Sequence, residues 1–124
     1  MYKKLDHDSI PANARKCLMK IRSVTFGMGG YQEAQFGLNL DFESNSTFVS
    51  AMICGGWDYS IECDKYTKWT EETRTKDMAD MCKTISEILK AAKVQTIDKL
   101  KNIPVEVVIE SSTIKSFRIL EEVL

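Results

Sequence analysis

"AQFGLNLDF", residues 34–42, alternates without a break: Phe36, Leu38, Leu40 and Phe42 fall on one side of an extended backbone, and Gln35, Gly37, Asn39 and Asp41 on the other. A period of two means a β-strand with one buried face, and it sets the register for whatever pairs beside it. On its N-terminal side "LMKIRSVTF" (18–26) is rich in strand formers, and "GMGGYQ" (27–32) reads as the glycine loop joining the two. On its C-terminal side "ESNS" (43–46) has turn composition. "TFVSAMIC" (47–54) is expected to return antiparallel, ended or bulged by Gly55 and Gly56.

The period changes after Trp69. Thr70 is placed to cap a helix, and Glu71 and Glu72 lie in a first turn where the helix dipole favours negative charge. Met78, Met81, Cys82, Ile85, Ile88, Leu89 and Ala92 recur at three- and four-residue spacing, while Lys76, Asp77, Asp80, Lys83, Glu87 and Lys90 take the other side; this predicts one helix over 71–92. "KVQTIDKLKNI" (93–103) is a connector with one helical turn at 97–100, ended by Pro104. "VEVVIE" (105–110) sets Val105, Val107 and Ile109 against Glu106, Val108 and Glu110, "SST" turns, and "IKSFRILEEV" (114–123) returns. The expected fold is α+β in the order β-β-β-α-β-β: an antiparallel sheet of about five strands with one long amphipathic helix packed on one face. Residues 1–16, polar and interrupted by Pro11, are expected to be a mobile arm, and 17–124 a single domain.

Composition excludes several function classes. The net charge of −1 arises from 17 basic and 18 acidic residues mixed along the chain, so the concentrated positive field of nonspecific nucleic-acid binding is missing. The uncharged apolar runs are too short for a membrane helix, and the polar N-terminus does not read as a signal peptide, so a cytosolic protein with reduced thiols is expected. Cys17, Cys54, Cys63 and Cys82 match no metal-ligand spacing, and the one histidine, His7, lies in the arm. The carboxylate pairs Asp58 with Glu62, Glu71 with Glu72, Asp77 with Asp80 and Glu121 with Glu122 read as solvated surface. The reading is therefore a non-enzyme with no catalytic residues, no metal and no cofactor.

The remaining candidates are binding residues. Gly29 and Gly30 relieve strain in a turn or offer backbone amides to an anion beside Tyr31. Arg22, set by parity with Val24 and Phe26, and Arg118, between Phe117 and Ile119, are surface charges or forks for carboxylate or phosphate. "GGWDYSIECDKYTKW" (55–69) holds both tryptophans, and Trp57, Tyr59 and Trp69 are either lids over the core or a platform on which a base stacks.

"SVTFGMGGYQEAQFGLNLDF", "GGW", "KW" opening a helix, "LKAAKVQTIDKLKNIPVEVVIE" and "TIKSFRILEEVL" resemble a family of small proteins encoded in bacteriophage and prophage genomes. The resemblance spans residues 21–124 and is strongest at Pro104–Val107 and Ser116–Leu124. It implies an accessory protein of the host cytoplasm acting against host defence. Two modes of action are then expected: capture of a small nucleotide-type immune signal without catalysis, or blocking of a host defence protein in the manner of an anti-CRISPR. A structural phage protein is the third. Five strands leave sheet edges to cover, so a homo-oligomer is expected too.

Overall fold

In the computed structural model of the protein, residues 13–124 are described. Five strands form one antiparallel sheet: β1 (Ala14–Gly29), β2 (Gln35–Glu43), β3 (Phe48–Trp57), β4 (Pro104–Glu110) and β5 (Thr113–Ile119), in the spatial order β3-β2-β1-β4-β5. One helix, α1 (Glu71–Ala92), packs against the sheet and lies chiefly on β3. The fold is α+β, as the two periodicities require.

β1 is the central strand, and it differs most from expectation. The arm at 1–16 falls mainly outside the described residues, but Ala14–Lys16 already belong to β1, opposite Val108–Glu110 of β4. At its other end the glycine segment does not loop out. Gly27, Met28 and Gly29 stay in register with Gly37, Phe36 and Gln35, because pairing with the strongly patterned β2 satisfies their backbone groups. Between them Ile21 pairs with Phe42 and Ser23 with Asp41, so Arg22 is an extra residue, a β-bulge. The bulge breaks parity: Ile21 and Val24 both pack on the core while Arg22 turns outward, away from the face of Val24 and Phe26 where alternation placed it.

Leu38, Leu40 and Phe42 of β2 are fully buried, and with Ile21, Ile53, Val105, Val107, Phe117 and Ile119 they form the core. The rings of Phe42 and Phe117 are 5.0 Å apart although their strands are separated by β1 and β4, so the sheet curls around this core. Val108 is buried as well, where alternation set it outward with Glu106, and so is Ser116, its cross-strand neighbour on β5. β5 stops at Ile119, and Glu121–Val123 form a 3-10 turn rather than the end of the strand.

α1 has the predicted bounds. Thr70 Oγ1 accepts from the Thr73 N–H and Thr73 Oγ1 from the Thr70 N–H, a reciprocal cap with threonine in the place usually held by glutamate. Its inward stripe is Arg74, Met78, Met81, Ile85, Ile88 and Ala92. Cys82, expected in that stripe, is exposed, since it sits one residue beyond Met81 and turns away by about 100°. Asp77, expected on the outer side, is half-buried. No helix among the described residues is long and apolar enough to cross a membrane.

Candidate functional site

The segment 58–69 is neither core nor open platform; it is wrapped around a buried arginine. Arg74 stands one turn into α1, at the start of the stripe that otherwise carries apolar side chains, and is only 3% exposed. A buried guanidinium needs acceptors, and the loop supplies them. Nη1 donates to the carbonyl oxygens of Asp58 (2.8 Å) and Ile61 (2.7 Å), and Nη2 to both oxygens of Glu71. The rings of Tyr59 and Trp69 lie 4.5 and 4.6 Å from its Cζ, within cation–π range. The bond from Arg74 holds the Glu71 carboxyl below the usual carboxylate range, and the same bond raises the Arg74 pKa above its ordinary value. The far end of the loop is closed by Cys63 and Thr67, which both donate to the Trp69 carbonyl at 3.0 Å, and by Asp64, which accepts from the backbone of Tyr66 and Thr67.

Trp57 stands apart from that clamp. It ends β3 after the glycine bulge, is half-buried, and meets Tyr31 edge to face with centroids 6.2 Å apart. The bulge is read from the register: Gln35 pairs with Trp57 but Gly37 with Cys54, so β3 has one residue too many at Gly55–Gly56. Gly56 takes a φ of +99°, which turns Trp57 away from simple alternation. Between this bulge and the first turns of the helix lies a pocket of about 180 Å³. Gln35 comes from β2, Cys54, Gly56 and Trp57 from β3, Trp69 from the loop, and Arg74 and Asp77 from α1. Ligand pockets for drug-sized molecules usually span about 300–1,000 Å³, so this one admits a single flat base, one ring or a fused pair, and not a dinucleotide.

Of the residues singled out from sequence, Trp57, Tyr59, Trp69 and Tyr31 are brought into this neighbourhood. Gly29 and Gly30 lie beside it, but Gln35 fills the space above Gly30 and its Oε1 accepts from the Tyr31 N–H, so part of that turn already has an acceptor. The two arginines are elsewhere. Arg22 lies over Phe48 (5.4 Å) and beside Glu43, at the opposite end of β3 from Trp57, roughly 25–30 Å along the strand. Arg118 is on β5, the other edge of the sheet, bonded to Glu106 and Glu122. The residues that sequence reasoning missed are Arg74, Asp77 and Gln35. The signal for Arg74 was present: it is the i−4 extension of the Met78 stripe and a charged residue in an apolar series.

Among the described residues no group of three or more His, Cys, Asp or Glu side chains is placed to hold a metal ion. Compared with protein-family models, curated proteins and solved structures, the chain matches none.

Proposed function

We propose that this protein binds and sequesters a small nucleotide-type ligand without chemical conversion, holding one flat ring in the pocket between Trp57 and the start of α1. The observation that carries this reading is the pocket itself, which combines a half-buried indole, a buried guanidinium and a carboxylate in a space the size of one flat base. In this reading the clamp around Arg74 is the scaffold, and Trp57 is the stacking surface. Tyr59 and Trp69 already spend a face on the guanidinium and serve to shape the wall. Phosphates extend away from the pocket, since Glu71 and Asp77 disfavour a second anion beside them. Capture of such a ligand in the host cytoplasm, as a counter-defence act, is the biological role that the resemblance to phage-encoded proteins suggests.

Calorimetry against nucleosides and nucleotides tests this. Trp57→Ala should weaken binding by the stacking contribution, about 1–3 kcal/mol, or roughly 5- to 150-fold in Kd. Arg118→Ala, on the far edge of the sheet, should leave Kd unchanged. Absence of heat with every ligand, together with a host protein retained by the wild-type chain and lost with Met28→Asp, would move the assignment to protein blocking. That second reading has its own support: Phe26 and Met28, each 46% exposed, and Tyr31 form an apolar patch at the open end of β1.

A further inference from the structure

The pocket contains more hydrogen-bonding capacity than the chain uses. Nη1 and Nη2 of Arg74 are engaged by Asp58, Ile61 and Glu71, and its Nε is sealed from solvent, so the guanidinium forms part of the wall and leaves no donor open to a ligand. In the same pocket the Asp77 carboxylate accepts no hydrogen bond from any described residue. Gln35 engages its amide oxygen with Tyr31 and keeps its NH₂ free among the described residues. The unused groups are thus the NH₂ donors of Gln35 and a two-oxygen acceptor on Asp77.

These groups discriminate among rings. One cation stands against the carboxylates of Glu71 and Asp77, so the pocket favours a neutral ring over an anionic one. A carboxylate is best matched by two parallel N–H donors, as it is in its pairs with arginine. Guanine alone among the four common bases carries two such donors side by side, on N1 and on its exocyclic N2, with the O6 acceptor next to them. Adenine and cytosine each set a single amino donor beside a ring-nitrogen acceptor, which would face Asp77 lone pair to lone pair. Uracil flanks its one donor with two carbonyls.

Resting on the single-ring reading above, we propose that the pocket selects a guanine-type ring, with N1–H and N2–H on the Asp77 carboxylate, O6 accepting from the Gln35 NH₂, and the ring plane against Trp57.

The test is a nucleoside panel on the full chain, read by calorimetry. Guanosine should bind, with adenosine, cytidine and uridine weaker by on the order of tenfold or more; inosine, which lacks the N2 amine, should lose about tenfold, as for one hydrogen bond to a charged acceptor. Asp77→Asn replaces two acceptors with one acceptor and one donor. It should lose guanosine and gain xanthosine, whose C2 carbonyl sits beside N1–H. A merely damaged pocket would lose both. Equal affinity for guanosine and adenosine overturns this inference and leaves the single-ring reading standing, and so does an Asp77→Asn protein that still prefers guanosine. Failure of all nucleosides to bind at millimolar concentration removes both, and the wild-type panel decides alone if the variant does not fold.

Discussion

Gly55→Ala tests how closely α1 approaches the bulged end of β3. A Cβ built on Gly55 would lie 2.5 Å from Met78 Sδ, 2.9 Å from Met81 Sδ and 3.1 Å from Met81 Cε. Two of these are closer than side chains tolerate, so something must move. All three atoms are the far ends of flexible thioethers, which makes the movement cheaper than a clash with backbone. Met81, however, is 3% exposed and packed on every side, so Met78, half-buried, has to do most of the yielding. That places the variant in the ordinary range for overpacking, about 1–3 kcal/mol. For a chain of this length about 3–5 °C of melting temperature corresponds to each kcal/mol, so a drop of roughly 3–15 °C is expected in a circular-dichroism melt. The diagnostic step is the double variant. Met78→Ala removes the atom at 2.5 Å and should make Gly55→Ala cost less in its background than in the wild type, a coupling of roughly 0.5 kcal/mol or more. Gly56→Ala is the control: its nearest atoms stand at 3.7 Å, and its cost is the φ of +99°, about 1–3 kcal/mol that Met78→Ala cannot relieve. A Gly55→Ala protein that melts with the wild type, or whose loss Met78→Ala leaves untouched, would refute the close approach and the pocket geometry built on it.

Two further outcomes follow from the clamp and the helix face. Because the bond from Arg74 lowers the folded-state pKa of Glu71 below its ordinary value of 4.5, against the opposing effect of burial, the stabilisation of the loop is complete above about pH 4.5 and is lost as pH falls through the lowered value. Amide protection factors across residues 58–69 should therefore fall only in that acid window, whereas Glu71→Gln should lower them already at neutral pH and show no acid step. On the helix, Ile88→Ala should cost about 2–5 kcal/mol in denaturant unfolding because Ile88 is buried in the core cluster, while Cys82→Ala, exposed one residue past the stripe, should stay within about 0.5 kcal/mol.

The elements were legible because their signals are local. The alternation of Phe36 to Phe42 needs only neighbours two apart, and Thr70 with the Met78-to-Ala92 stripe needs only neighbours three and four apart; strand and helix were readable from those residues alone, the helix to its end residues. Cys82 and Asp77 were misplaced because a stripe about 100° wide has borders that a helical wheel does not resolve, and the neighbour across the interface decides which border residue goes in. Bulges were the next failure. One extra residue at Arg22 reverses every later side chain of β1, and no composition marks it or a similar one at Lys115 of β5; the paired glycines 55 and 56 did mark the one in β3.

The site lay furthest from the sequence's reach. Trp57, Tyr59 and Trp69 could be picked out as a cluster by adjacency, yet whether their faces were free depended on Arg74 reaching back 16 residues to the Asp58 carbonyl. Arg118 looked like a partner for them until the strand registers put it level with Glu106 and Leu18, at the end of the sheet away from Gln35 and Trp57, where Glu106 and Glu122 already hold it. Local periodicity is written in the chain because each residue's backbone conformation is set by its near neighbours. Which charges find each other is decided by pairing order and curl, through which segments distant along the chain become neighbours, and the buried guanidinium then takes whatever acceptors that arrangement brings within reach.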